Sequence, residues 1–452
     1  MAMALRTEID LPTLRVTLDP ATAEAVLATV RGRGRPKEVV RCTLRELGLP
    51  TSVFARVTEA RLTVPSALLA ELTPAVADLG ASPVRPHNAL WLEIPSPRGL
   101  LPVVPWERLL APLGRPLYRL PFHPVRPQRP EGRLTVGLLV ADDADAAGTA
   151  VALADQYAAN VPGLTLHVFT GARSWSETAA RLGDAGHVLV HRPPAADAPP
   201  TDHATELVPH PWLRWVLDTV DGARLDVVHV VAPGLLADGR GALALPDPVH
   251  RRRGEPPVVE SVELVEVLTQ VGAVALTLAP PPSSHDASGL RELADDVARL
   301  RPGLTAVHDL ADDPAATQLG AALRTVLAPR DEAVVLPAVS AWLNPLFLDT
   351  VTDADVEVDG TAWTSDMQLL DDGGSALLPH ATRAAARDLP DAWVASAARS
   401  IEQLQMAWLP AAADRAADPA AVSALDKVAR LLDRYVPDDP APRHRPDPGG
   451  TP

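Results

Sequence analysis

The stretch RLTVGLLVA, residues 133–141, is a nearly continuous apolar run of strand length. Two later stretches have the same character: LDVVHVVA at 225–232 and GAVALTLA at 272–279. Strands buried on both faces of a parallel sheet are apolar throughout, whereas strands with one exposed face alternate apolar and polar residues. These three stretches therefore predict the centre of a parallel sheet that is covered on both sides.

Helical patterns separate the predicted strands between residues 88 and 330. We expect strands near 134–140, 164–169, 187–191, 226–231, 273–279 and 304–308, with helices at 142–160, 174–182, 211–220, 257–270, 289–301 and 317–327. Sustained β-α alternation predicts an α/β fold, an α/β/α sandwich around a mostly parallel sheet.

The regions on either side have different patterns. Residues 1–87 predict a small N-terminal α+β region, with a strand near 14–18 and helices at 20–31, 38–47 and 66–79. Residues 331–436 predict a C-terminal extension with two helices, at 390–409 and 420–435. The first of these carries Trp393, Ile401, Leu404 and Trp408 at helical spacing, which favours core packing. The Pro-rich tail at 437–452 is expected to be disordered.

Charge and composition narrow the class of protein. The formal net charge is −16, which disfavours a nucleic-acid partner. The basic segment RGRGRPK at 31–37 is similar to an AT-hook core, but a single short hook in an acidic chain is better interpreted as a loop between two helices. No apolar run is long enough to cross a bilayer and no signal peptide is apparent, so we expect a cytoplasmic protein with no membrane partner.

The single cysteine, Cys42, rules out a disulfide within the chain and a zinc site built from several cysteines. Its apolar neighbours favour a half-buried structural cysteine, although Arg41 and Arg45 would lower the pKa of its thiol. The pair Asp142-Asp143 is best interpreted as helix capping. We expect no metal and no cofactor.

Ligands of open α/β sheets gather beyond the carboxyl ends of the strands. Two predicted strands end in notable segments: 227–231 runs into Ala-Pro233-Gly234, and 274–278 runs into APPPSSHD at 279–286. These two strand ends are the candidate site.

The order of several motifs resembles the CHAT domain, a caspase-like module of the separase and gingipain kind. The segment VPWERLL at 104–110 is similar to the family's P-W-E-L-L segment, and VALTLA at 274–279 is similar to its V-V-L-x-x-C strand. DVVHVVAPG at 226–234, followed by GALALPD at 241–247, is similar to the strand, His-Gly pair and hairpin of the family. Residues 293–327 are similar to its closing helix–strand–helix. The resemblance implies a caspase-like sandwich over 88–330.

In active relatives a histidine acts as general base and a cysteine as nucleophile. Pro233 stands at the histidine position and Ala279 at the cysteine position. The resemblance therefore implies a catalytically inactive copy, a regulatory or scaffolding subunit of a bacterial conflict, defence or signalling system. Such a subunit would bind a protein or peptide across the two strand ends; its oligomeric state stays open. The candidate binding residues are Pro233, Gly234, Ala279, Pro280, Ser283 and Ser284.

Two alternatives stay open. One is an active peptidase with a displaced dyad, Ser284 with His229 or His285. The spacing along the strand places His229 inside the sandwich, which favours a buried structural histidine. Residues 283–286 favour loop and helix-capping roles. The other alternative is an unrelated Rossmann-like protein that binds a small ligand at the strand ends.

Overall fold

A computed structural model describes residues 11–19, 22–31, 35–50, 56–95, 97–121, 133–143, 145–195, 208–237, 239–248 and 257–348 of the 452-residue chain. The predicted helices at 390–409 and 420–435 and the predicted disordered tail at 437–452 lie outside these residues. Within the described part, no helix combines the length and apolar character needed to span a bilayer.

The strands are β1 (Thr13–Asp19), β2 (Glu24–Val30), β3 (Lys37–Thr43), β4 (Leu90–Glu93), β5 (Leu117–Arg119), β6 (Thr135–Val140), β7 (Thr165–Thr170), β8 (Val188–His191), β9 (Val227–Val231), β10 (Gly234–Ala237), β11 (Arg240–Ala244), β12 (Val258–Val259), β13 (Ala275–Ala279), β14 (Leu304–His308) and β15 (Val339–Trp342). The helices are α1 (Ser66–Ala77), α2 (Trp106–Leu109), α3 (Ala146–Asn160), α4 (Trp175–Leu182), α5 (Pro211–Val220), α6 (Ser261–Gln270), α7 (Ser288–Leu300), α8 (Thr317–Leu327) and α9 (Pro345–Leu348).

Twelve strands form one sheet in the order β3-β2-β1-β4-β5-β15-β14-β13-β9-β6-β7-β8. Neighbouring strands are parallel from β8 to β14 and from β15 to β1, while β14–β15, β1–β2 and β2–β3 are antiparallel. All six predicted central strands are present, so the mostly parallel α/β sheet is confirmed. Strands β10, β11 and β12 form a second, three-stranded sheet.

The prediction of helices at 20–31 and 38–47 is wrong, because the strands β2 and β3 form in these two regions instead. Both segments are rich in β-branched residues, and burial in β2 begins with alternation at Ala25 and Leu27. The alanines suggested a helix, but pairing along the whole of β1 decides the structure. The basic segment at 31–37 therefore connects two strands and not two helices. The strand β1 and the helix α1 are confirmed.

The large sheet runs across the sequence boundaries expected at residues 87 and 330. Strand β1 pairs in parallel with β4, and β15 inserts between β14 and β5. Only one residue pair, Trp342 with Arg119, joins β15 to β5. We call this junction the seam. The Arg119 guanidinium lies 4.6 Å from the centre of the Trp342 ring and forms a buried ion pair with Glu107, at 2.7 Å from Nε to Oε1.

Helix α7 lies between the large sheet and the hairpin β10–β11, so that every residue from Ser288 to Ala298 is buried. The backbones meet without intervening side chains: a Cβ added to Gly289 would lie 2.4 Å from the Leu235 carbonyl oxygen, and one added to Gly241 would lie 2.2 Å from the Gly289 carbonyl oxygen. Two glycines therefore permit the close approach that fixes the hairpin beside the strand ends.

Buried ion pairs hold α7 at both ends. Arg98 contacts three acidic residues of the helix, at 2.6 Å from Asp295, 2.7 Å from Asp296 and 2.9 Å from Glu292. Burial raises the pKa of Asp295, but the charges of Arg299 and Arg98 outweigh it and lower that pKa to about 2. At the other end, Arg291 lies 2.6 Å from Glu59.

Candidate functional site

The two strand ends lie side by side. Strands β9 and β13 are neighbouring and parallel, with Val231 opposite Ala279, and the Ala232 amide donates a 3.0 Å hydrogen bond to the Ala279 carbonyl. Pro233 follows directly, and its carbonyl accepts a hydrogen bond of 2.9 Å from the Ala244 amide of the hairpin. The predicted juxtaposition of Pro233 and Ala279 at adjacent strand ends is therefore present.

The candidate binding residues differ in exposure. Ala279 and Pro280 are buried, Gly234 and Ser284 are partly exposed, and the side chains of Pro233 and Ser283 reach solvent. Ala279 packs beneath α3 and α8 in the core. A partner at these strand ends would therefore contact Pro233, Gly234, Ser283 and Ser284, while Ala279 and Pro280 form the floor below them.

The polar loop after β13 serves as a turn and a helix cap, as its sequence predicted. The Ser284 amide donates to the Pro281 carbonyl at 2.8 Å, and its hydroxyl donates to the Asp286 carbonyl at 3.4 Å. Asp286 Oδ1 accepts from the Ser288 amide at 2.9 Å, at the start of α7. Among the described residues, no hydrogen bond joins Ser284 to a histidine.

His229 is fully buried in β9, which confirms the structural interpretation of its sequence position. Its Nδ1 lies 3.0 Å from the hydroxyl oxygen of Tyr157 on α3. Burial, with a smaller contribution from the charge of His308, lowers the pKa of His229 to about 3. A neutral imidazole sealed in the core is out of reach of Ser284 on the surface loop, so the geometry does not assemble the displaced dyad.

A second buried histidine was missed by sequence reasoning. His308 ends β14, and its Nε2 donates to Asp313 Oδ2 at 3.0 Å. Asp313 also accepts hydrogen bonds from the amides of Thr317 (3.0 Å) and Gln318 (2.7 Å) at the start of α8. Burial raises the pKa of Asp313, but the hydrogen bonds, from His308 first, lower it overall. An aspartate four residues before a predicted helix was the available signal.

His229 and His308 each keep one ring nitrogen, Nε2 and Nδ1 respectively, without a hydrogen-bond partner among the described residues. The register places both residues on the sheet face that α3 and α8 cover. Within the described part of the chain, no group of three or more His, Cys, Asp or Glu side chains could hold a metal ion.

Asp142 stabilises the turn before α4 and does not cap the helix that follows it in sequence, contrary to the capping interpretation. Its Oδ1 accepts from the Ser174 hydroxyl at 2.5 Å, and its Oδ2 accepts from the Arg173 amide at 3.3 Å. Asp143 Oδ1 accepts from the Asp145 amide at 3.0 Å, and Asp145 caps α3 through the Gly148 amide at 3.2 Å. These carboxylates are engaged in backbone structure at the ends of β6 and β7.

Cys42 lies in β3 and is buried rather than half-buried. The expectation that Arg41 and Arg45 lower the pKa of its thiol is wrong. Burial, followed by the charges of Glu46 and Glu24, raises that pKa to about 12. Arg41 is instead directed at Glu38 and Asp19, at 2.7 and 3.1 Å.

No protein-family model, no curated protein and no solved structure matches the chain. The fold itself defines the class, a mixed α/β protein with a large and mostly parallel sheet.

Proposed function

We propose that this chain is a catalytically inactive, caspase-like protein of the CHAT kind, which acts as a regulatory or scaffolding subunit in a bacterial conflict, defence or signalling system. The observation that carries the proposal is the pairing of Val231 with Ala279 at the ends of β9 and β13. Pro233 and Ala279 offer neither a base nor a nucleophile where such chemistry would need both.

We propose further that the partner is a peptide segment bound beside β10. This strand is at one edge of the three-stranded sheet, and among the described residues its other side pairs with no strand. Leu235 in its centre is 41% exposed. An exposed strand edge can pair with an added strand, whose main chain supplies affinity while its side chains supply specificity. Pro233 restricts the backbone at the start of this edge, which reduces the entropy lost on binding.

The first test concerns chemistry. The full-length protein should cleave no member of a diverse peptide library, and iodoacetamide should label Cys42 about a hundred to a thousand times more slowly than a free cysteine at pH 8, because its raised pKa leaves little thiolate. Mass spectrometry of peptides and protein measures both. Specific cleavage that is abolished by Ser284→Ala would establish the displaced dyad instead.

The second test concerns binding. Peptides are first selected from a random display library on the immobilised full-length protein. Their affinity for a double variant, Leu235→Glu with Ser283→Arg, should be at least about tenfold weaker, as expected for loss of a central apolar contact. Leu189→Glu is the matched control, because Leu189 is 49% exposed in β8 at the far edge of the large sheet.

Thermal melting should show that both variants fold. Ala279→Arg is unsuitable for this test, since a buried arginine would disrupt the core. Selected peptides that bind all three proteins equally would place the interaction elsewhere and contradict the proposal.

A further inference from the structure

A cavity opens at the seam, on the side of the large sheet that α8 covers. It lies between β14, α8 and the segment that leads into β15, and its volume is about 50 Å³. Leu304, Leu323 and Val339 are among its many apolar wall residues. Val334, which is 62% exposed, lies at its edge, so that the cavity communicates with solvent. We call it the seam cavity.

The polar side chains in the wall are those of Glu107, Tyr118, Thr277 and Thr325. Both carboxylate oxygens of Glu107 are occupied, by Arg119 at 2.7 and 2.9 Å and by the Ser340 hydroxyl at 2.6 Å. The Thr325 hydroxyl donates to the Ala321 carbonyl at 3.1 Å. Because Glu107 is paired with an arginine, the wall presents no uncompensated charge, and a neutral ligand fits it best.

Of these four wall residues, Tyr118 has a buried oxygen without a hydrogen-bond partner in the described part of the chain. Its side chain packs against Trp91 with ring centres 5.6 Å apart, and the residue is only 7% exposed. Its hydroxyl oxygen is buried and has no hydrogen-bond partner among the described residues. Burial raises the pKa of the phenol, so the group keeps its proton and is a hydrogen-bond donor. Buried hydroxyls in proteins nearly always have a partner, which indicates that this one is satisfied by a group outside the described residues.

Water is a poor occupant of this space. One water needs about 10–15 Å³ on the same measure, so the seam cavity is several times larger than one water requires. A buried water typically makes about three hydrogen bonds, but Tyr118 is the one wall group with an unsatisfied buried oxygen. Apolar walls with a single donor match an aliphatic molecule with a single acceptor.

We propose that the seam cavity binds a neutral, largely aliphatic small molecule whose carbonyl or ester oxygen accepts a hydrogen bond from the Tyr118 hydroxyl. This site is separate from the strand ends and does not rest on the proposed function. A ligand there would contact β14 and α8 as well as β5, and so would strengthen a junction that has one paired residue on each strand.

The test uses 2-butanone, a short ketone chosen for the small volume of the cavity, as the probe and the full-length chain in calorimetric titration. We expect saturable binding, weakened about threefold to tenfold by Tyr118→Phe because one hydrogen bond is lost. Ala322→Phe, which fills the cavity from α8, should abolish binding while the circular dichroism spectrum is unchanged. The control is Thr149→Val: the Thr149 hydroxyl on α3 is also buried without a hydrogen-bond partner among the described residues, but Thr149 does not line the cavity.

A second measurement separates a ligand site from a merely structural tyrosine. Without probe, Tyr118→Phe should keep or raise the melting temperature, because an unsatisfied hydroxyl is removed, whereas Tyr157→Phe, which removes a hydroxyl bonded to His229, should lower it. The control variant, Thr149→Val, should bind 2-butanone as the wild type does. Absence of saturable binding would overturn the proposal; this result is expected if another part of the chain fills the cavity. Equal affinity of the probe for the wild type and Tyr118→Phe would overturn it as well.

Discussion

Replacing Arg98 by methionine should destabilise the protein by about 3–5 kcal/mol, or prevent folding, because the change removes a buried cation that three buried carboxylates contact. The side chain of Arg98 is 4% exposed, and those of Glu292, Asp295 and Asp296 are equally inaccessible, at 3%, 8% and 4%. Methionine fills much of the volume of arginine, so the loss reports charge more than packing. Urea unfolding followed by circular dichroism measures it.

The matched control is Arg181→Met. Arg181 pairs with Glu177 one helical turn away at 3.4 Å, but both side chains are largely in solvent, so the expected change is below about 0.5 kcal/mol. If Arg98→Met cannot be purified, Arg98→Lys keeps the positive charge and should fold with an intermediate loss of stability. An Arg98→Met protein as stable as the control would show that the three carboxylates are not ionised in the folded state.

Lowering the pH should destabilise the folded state through His229. The folded-state pKa of about 3 lies below the ordinary value of 6.5, so the folded state favours the neutral ring and the unfolded state binds the proton. The stabilising contribution is complete above pH 6.5 and is lost as the pH falls towards 3. One proton corresponds to about 1.4 kcal/mol per pH unit, so about 2 kcal/mol should be lost between pH 6.5 and 4.5.

His229→Asn isolates this contribution, because the asparagine amide occupies the position of Nδ1 but does not titrate. The slope of unfolding free energy against pH is proportional to the number of protons taken up on unfolding. In this variant that number should be smaller by about one, while the contribution of the carboxylates is the same as in the wild type. His191→Asn is the comparison: burial, and then the charge of His167, lowers the pKa of His191 to about 4, but this residue is partly exposed and its effect should be smaller. Equal slopes in wild type and His229→Asn would contradict the prediction.

The centre of the sheet could be predicted from sequence because each of its strands is recognisable from a short stretch of residues. Strands β6, β9 and β13 are apolar runs, and helical patterns lie between them in the sequence, as parallel crossovers require. The place of β15 could not be predicted in this way. All four of its residues pair with β14, but Trp342 alone pairs with β5, and that second pairing joins residues roughly 220 positions apart in the sequence.

Helix α7 shows why the surroundings of the site were harder to predict. Its charged residues, such as Glu292 and Asp296, lie on what the sequence suggests is a solvent-facing side, yet the hairpin and Arg98 cover it. A helical pattern reports which side is apolar but not whether a second layer covers the other. For the same reason the pairing of His308 with Asp313 was invisible, whereas the burial of His229 followed from its place inside a strand.

The position of the seam determines when during protein synthesis the two halves of the large sheet can pair. Strand β5 leaves the ribosome roughly 220 residues before β15, its neighbour, and at ~5–20 residues per second this interval lasts roughly 10 to 45 seconds. During that time β5 lacks the strand that pairs with its free side in the folded sheet, and so does β14. Strand pairing between the two halves of the sheet therefore waits for translation of residues 339–342, although Arg98 and Glu59 can contact α7 before then.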